Sequence, residues 1–201
     1  GVSTLKPRNI WFDDTIKRLN TDDRGTLLGA FKGEDKILLI NKDGDAKVVT
    51  PELSLHFEEK MIRIEKWIPQ KPITAVYFDK EKERYFIKRF LIESTTKEDR
   101  FVKAEGELIF VNTDWRPVIT INFVKPRDRD PLAPMEINVE EFIAVKGFKA
   151  LGNQLTTQKI KNIVLKAALP YEMVEKAVEE IEVNDQEELG GTGESQIKLN
   201  L

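Results

Sequence analysis

The chain has 201 residues, with 32 Lys+Arg against 35 Asp+Glu, a single histidine and no cysteine. That length suits one domain or two small ones. The missing cysteine excludes disulfide scaffolds, thiol nucleophiles, thiolate zinc sites and iron–sulfur clusters, and a lone His56 all but removes triads and histidine metal sites. No apolar run approaches the ~20 residues of a membrane helix, and no N-terminal stretch reads as a signal peptide. The expectation is a cytoplasmic protein with no membrane partner, and Gly1 in place of Met reads as a cloning remnant. The net charge of −3 is divided unevenly. Residues 171–201 hold nine acidic and two basic residues, a net −7, so the preceding 170 carry +4. A mildly basic body with an acidic tail suits either a nucleic-acid partner with a competing anion mimic, or a solvated tail that only confers solubility.

In chain order, residues 36–40 form an apolar run, Asp43-Gly44 makes a turn and 46–50 return. An Asp-Gly turn between β-branched runs predicts a hairpin, because Gly tolerates the positive φ that a tight turn needs. Residues 73–78 and 84–92 repeat the pattern around a turn at 79–83. A third copy is expected at 107–111 and 118–124, and a weaker fourth at 142–150 and 154–157 around Gly152-Asn153. The first strands begin near 36, 73, 107 and 142, at spacings of 37, 34 and 35 residues. A superperiod of this length predicts radial repetition, as in a propeller. The alternative is a β-sandwich, whose turns come every ~8–12 residues without a superperiod. Residues 84–92 are apolar on both faces with Lys88 and Arg89 in the middle. A strand between two neighbouring units would bury both faces, and these two charges would then have to reach an edge, a carboxylate or solvent.

Residues 125–134, with three prolines and alternating charges, predict a surface loop. From Pro170, Met173, Val174, Ala177, Val178 and Ile181 recur at helical spacing with acids on the opposite face, predicting a short helix. After Asn184 a Glu- and Gly-rich stretch reads as unstructured, and 195–201 suit an edge strand. The expected division is a β domain over 1–169 and an acidic helix with a flexible tail over 170–201.

No catalytic constellation emerges. Gly190-Gly191-Thr192-Gly193 lacks the Gly-Lys-Ser/Thr ending of a phosphate loop and sits among acids. Asp13-Asp14, Asp22-Asp23 and Glu58-Glu59 lack calcium-loop spacing and read as solvated turns. Tyr77 and Tyr85 read as core aromatics. A carboxylate hydrolase would need two acids converging in a cleft at ~5–9.5 Å. The basic residues are more informative: Lys17, Arg18 and Arg24 early, Lys47 in the first hairpin, then Arg84, Lys88, Arg89, Lys125, Arg127, Arg129, Lys146, Lys149, Lys159, Lys161 and Lys166. On repeats arranged as a disc, such residues would line the rim at regular steps and track a DNA backbone through phosphate contacts. The alternative is a set of solvated lysines offset by nearby acids, or a propeller-like module whose disc face binds another protein.

Asp35-Lys36-Ile37-Leu38-Leu39-Ile40-Asn41-Lys42-Asp43-Gly44-Asp45-Ala46-Lys47-Val48 resembles the blade motif in the C-terminal domain of the DNA-cleaving subunit of DNA gyrase and topoisomerase IV. The segment from Asn9-Ile10-Trp11-Phe12 to Arg24-Gly25-Thr26, and Val145-Lys146-Gly147-Phe148-Lys149-Ala150-Leu151-Gly152-Asn153-Gln154-Leu155-Thr156, resemble topoisomerase IV segments. The Gly190 to Gln196 stretch is similar to tails of DNA-cleaving subunits from the Bacteroides group. The resemblance implies an all-β fold, a β-pinwheel of about three to four blades that guides or wraps double-stranded DNA on a basic rim. It implies no catalytic residue and no cofactor in this region, since the family's catalytic tyrosine lies in the breakage–reunion region of the subunit. In the complete enzyme it implies Mg2+ and ATP, with a second DNA-cleaving subunit and the ATPase subunit as partners. Asp23-Arg24-Gly25-Thr26-Leu27-Leu28-Gly29 is a degenerate form of the Arg/Gly box of gyrase, which favours topoisomerase IV and argues against chiral wrapping.

Overall fold

The computed structural model describes residues 6–93 and 97–172. The strands in chain order are β1 (Arg8–Asp13), β2 (Arg18–Asn20), β3 (Thr26–Phe31), β4 (Ile37–Asn41), β5 (Asp45–Val49), β6 (Met61–Lys66), β7 (Ile73–Asp79), β8 (Arg84–Phe90), β9 (Asp99–Arg100), β10 (Gly106–Asn112), β11 (Val118–Phe123) and β12 (Met135–Asn138). A single helical turn, α1 (Val139–Phe142), precedes β13 (Asn153–Thr156) and β14 (Ile160–Leu165). Among the described residues these strands make four small antiparallel sheets, ordered β2-β1-β3, β6-β4-β5-β9, β10-β7-β8-β13 and β12-β11-β14. The fold is thus nearly all-β, as expected. No helix of the described residues is long and apolar enough to cross a membrane.

The continuous apolar run of β4 has a direct cause. Successive side chains of a strand point to opposite faces. Ile37 and Leu39 pack with Ile10, Phe12, Leu19 and Phe31 of the first sheet and with Phe57 of the β5–β6 connection. Leu38 and Ile40 pack the other way, with Ile73, Ala75, Tyr77 and Phe90 of the third. In β7 the alternation recurs one sheet further on, with Val76 joining Ile87, Ile119, Ile121 and Ile137. The sheets therefore stack in chain order with a core between each pair, and β4 and β7 are apolar through most of their length because neither face meets water.

The hairpins expected at 36–50 and 73–92 form as β4–β5 and β7–β8. The other two do not. β10 pairs with β7, and β11 pairs with β12 and β14 in the next sheet. Between β10 and β11, Asn112 accepts the Asp114 amide at 2.8 Å in a side-chain turn, and Pro117 has no N–H to give to a ladder. The link steps from one sheet to the next instead of folding back. In the fourth copy, Phe142 ends α1, and β13 closes the free edge of β8. Gly152 permits this approach, since a Cβ there would sit 2.7 Å from the Ile87 carbonyl oxygen and 3.0 Å from the Tyr77 hydroxyl. Similarly β9, formed after the third sheet's hairpin, returns to pair with β5. The 125–134 segment is free of strand, as expected. The predicted helix from Pro170 and edge strand at 195–201 fall, beyond Glu172, outside the described residues.

Gly44 ties the first hairpin to β9. Its φ is +84°, and a Cβ would lie 2.6 Å from the Val102 Cβ. Its carbonyl accepts the Phe101 and Val102 amides at 2.9 and 3.2 Å. Gly44→Ala combines left-handed strain with a clash and should cost roughly 2–3 kcal/mol. Urea unfolding checks this; a loss below roughly 0.5 kcal/mol would contradict it.

Candidate nucleic-acid interface

The cations singled out from the sequence fall into three groups. The first is interior. Lys88 is 2% exposed and Arg89 6%. They lie on opposite faces of β8, each covered by a neighbouring sheet or its connections, so neither reaches a surface where it could meet a phosphate. This corrects the expectation that both line a rim. Their partners are neither edges nor carboxylates but backbone carbonyls. The Lys88 Nζ donates to Phe101 O at 2.9 Å and Phe148 O at 2.8 Å, and sits 4.8 Å from the Phe90 ring centre. Burial, with the nearby Lys149 charge, lowers its pKa to about 8. The Arg89 guanidinium donates to Trp115 O at 2.6 Å, and burial likewise lowers its pKa. Both charges act as staples between strands, where carbonyl dipoles stand in for lost water.

The second group is exposed or half-buried but engaged. Lys17 pairs with Asp14, and that hydrogen bond raises its pKa. Arg18 reaches Ser54 O at 3.4 Å. Arg24 pairs with Asp22 at 3.4 Å and Lys47 with Glu98 at 3.9 Å. Lys149 pairs with Asp99 at 2.5 Å, which holds that carboxyl below its ordinary range. Lys146 donates to Asn153 Oδ1 at 2.9 Å. The acid pairs read as solvated turns thus supply counter-ions at Asp14 and Asp22.

The third group is exposed and, among the described residues, has no ion-pair partner: Arg84, Lys125, Arg127, Arg129, Lys159, Lys161 and Lys166. Most of it is gathered by the end of the fourth sheet. Phe123 pairs with Ile160, and the Val124 amide donates to Lys159 O at 2.9 Å, which brings the 125–130 loop beside the turn between β13 and β14. Arg129 donates across this junction to Gln158 Oε1 at 3.2 Å. The register slips between Asn122 and Phe123, leaving Lys161 without a partner residue on a bulge, a device that re-aims a side chain. Arg84 enters the same end, since Tyr85 pairs with Thr156 just before that turn. Asp128 and Asp130 alternate with the loop cations, so Lys125, Arg127, Arg129, Lys159 and Lys161 leave a local positive excess. The sequence picks out these residues but not their convergence, because β14 carries no clean alternation to announce it.

Three further cations, which the sequence does not single out, are Lys6, Arg8 and Lys32; they line a cleft beside the first sheet. Tyr77 is 8% exposed, stacks on Phe86 and accepts the Gly152 amide at 3.0 Å, a core role as expected. Among the described residues no three His, Asp or Glu side chains converge as a metal site. The family described as topoisomerase C-terminal domain, Bacteroidota, matches residues 18–168, three quarters of the chain. No curated protein matches it.

Proposed function

Because the chain belongs to the topoisomerase C-terminal domain family of the Bacteroidota, we propose that its four sheets are blades of a pinwheel and that its free cations hold duplex DNA for strand passage by the complete enzyme. The observation that carries this is the gathering of unpaired Lys125, Arg127, Arg129, Lys159 and Lys161 on adjoining elements of the fourth sheet. Charges already engaged by carboxylates have less to gain from a phosphate. Free ones release condensed counterions from DNA at little cost. Flexible side chains on a loop and a turn suit backbone contacts, which position a duplex without reading its sequence. DNA cleavage, with its Mg2+, and ATP hydrolysis then belong to other parts of the enzyme, including a second DNA-cleaving subunit and the ATPase subunit. The tie to topoisomerase IV over gyrase rests on the degenerate Arg24-Gly25 segment, and cytoplasmic location follows from a chromosomal substrate.

Fluorescence anisotropy with a short duplex at several salt concentrations tests the reading. Four to five phosphate contacts give a slope of log affinity against log salt of about −4. Affinity indifferent to salt would point instead to a protein-docking module. The same titration on a chain ending after Glu172, which keeps the stack of Tyr171 on Trp115 at 4.1 Å, tests the acidic tail. Losing eight acids should tighten binding at low salt and leave it unchanged at high salt. Equal affinities at low salt would count against competition by the tail.

A further inference from the structure

A separate group of cations surrounds a cleft where β1 meets the end of β3. Arg8 stands opposite Phe31 at that junction. That register sets Lys32 and Gly33 beside Arg8, with Lys6 two residues upstream. With Pro51 and Asp35 these residues line a cleft of about 300 Å3, at the small end of the ~300–1,000 Å3 range of small-ligand sites. Lys6, Arg8 and Lys32 are exposed, and among the described residues none of them is within salt-bridge distance of an acid.

Asp35 is the acid in the lining, and it is occupied. Its Oδ2 accepts the Lys32 amide at 3.0 Å and lies 3.3 Å from Lys66 Nζ. Burial alone would push its carboxyl up, but these two donors outweigh it and hold the pKa below the ordinary value. Asp35 therefore stays charged while spending that charge on Lys66, itself also placed 5.5 Å from the Phe31 ring centre and bonded to Ala30 O at 2.8 Å. Lys32 also feels the Asp35 charge, while Lys6 and Arg8 have no acid in the lining to offset them. Gly33 has φ +47° and open space where a Cβ would be, so the backbone of this turn stays open to a ligand.

We propose that this cleft binds a phosphate group, independently of the 125–161 cations. An Arg fork and two ammonium groups converging from different segments around an open glycine turn suit the tetrahedral oxygens of a phosphate better than the coplanar pair of a carboxylate. The phosphate can come from a nucleic-acid backbone or from a free mononucleotide or inorganic phosphate, each presenting anionic phosphoryl oxygens to these donors.

The test follows the Gly33 amide of the whole chain by 1H–15N NMR during titration with sodium phosphate, adenosine 5′-monophosphate or a short duplex, in wild type and in Arg8→Gln/Lys32→Gln. Both substituted side chains are exposed, so the variant should keep its fold, and the unchanged Gly106 resonance verifies that. The expected result is a saturating Gly33 shift in wild type that weakens at least about tenfold in the variant. Saturation by duplex at a concentration far below that of the free phosphates assigns the source to nucleic acid; the reverse assigns it to a small phosphate. A Gly33 shift that never saturates with any probe, or that is equal in the variant, overturns the proposal. The outcome is separable from the DNA-holding reading. Salt-dependent duplex binding with a static Gly33 removes the cleft and leaves that reading intact. A phosphate-responsive Gly33 without duplex binding does the opposite.

Discussion

Stability rises as the pH is taken from about 7.5 to about 10, and the rise is lost in Lys88→Met. The folded chain holds Lys88 at a pKa of about 8, against 10.5 for a free lysine. Between those values the unfolded chain keeps a proton that the folded chain has released. Unfolding then takes up protons, and raising the pH favours the fold. Below about 8 the ammonium is charged in both states, and its burial cost is present in full. The interval from about 8 to 10.5 corresponds to about 3 kcal/mol. Clefts lined by Phe101 and by Phe148 adjoin the two carbonyl partners, and solvent screening there brings the expected gain to about 1–2 kcal/mol. Above about pH 10 Tyr77 works in the other direction, because burial holds its phenol protonated in the fold beyond its ordinary value. Methionine keeps the apolar stem and removes the titration, so its urea midpoint should be flat over the same range. A wild-type midpoint that falls from pH 7.5 to 9.5, or a variant that rises in parallel, would sink this account. Lys88→Ala adds a cavity and two carbonyls without their donor, and should lose roughly 3–5 kcal/mol.

Duplex affinity falls by about two to three orders of magnitude at 0.1 M salt when Lys125, Arg127, Lys159 and Lys161 are all replaced by alanine. The estimate assumes that each side chain neutralises one phosphate, so the salt slope should flatten by about 3–4 as well. Changing both together distinguishes lost phosphate contacts from a general loss of fold, which would abolish binding without an orderly slope. Lys17→Ala and Arg24→Ala, whose charges are already taken by Asp14 and Asp22, should change affinity less than about threefold. If the engaged cations matter as much as the free ones, the distinction between the two groups is mistaken.

What is legible in the sequence follows from how locally each feature is determined. The β4–β5 and β7–β8 hairpins each join adjacent segments through a short turn, and both are readable. The sheet of β1, β2 and β3 is not, because the pairing of β1 with β3 slips register after Ile10 and Gly25 and Gly29 interrupt the pattern. The links after Asn112 and Phe142 look like hairpin turns, since nothing local reveals that a strand has a better partner one sheet back. The same limit governs the cations. The sequence shows that Lys88 and Arg89 need partners, yet the carbonyls of Phe148 and Trp115 lie 60 and 26 residues away. Lys125 and Lys159 both stand out, but only the β11–β14 register shows that they converge. Lys6, Arg8 and Lys32 look ordinary until β1 and β3 pair.

The late return of β9 to β5 and of β13 to β8 constrains how the chain can emerge from a ribosome. The second sheet cannot be completed until Asp99 and Arg100 are made, by which time the hairpin of the third already exists. The third then waits for residues 153–156, synthesised after β11 and β12 of the fourth. The first sheet is complete once Phe31 is made, but from about residue 50 to residue 156 either the second or the third sheet always lacks the strand that closes it. These two sheets should therefore close late, with high contact order and exposed strand edges during synthesis. A stop or nick within this interval removes more than what lies downstream, because it leaves an earlier sheet without the strand that was to close it.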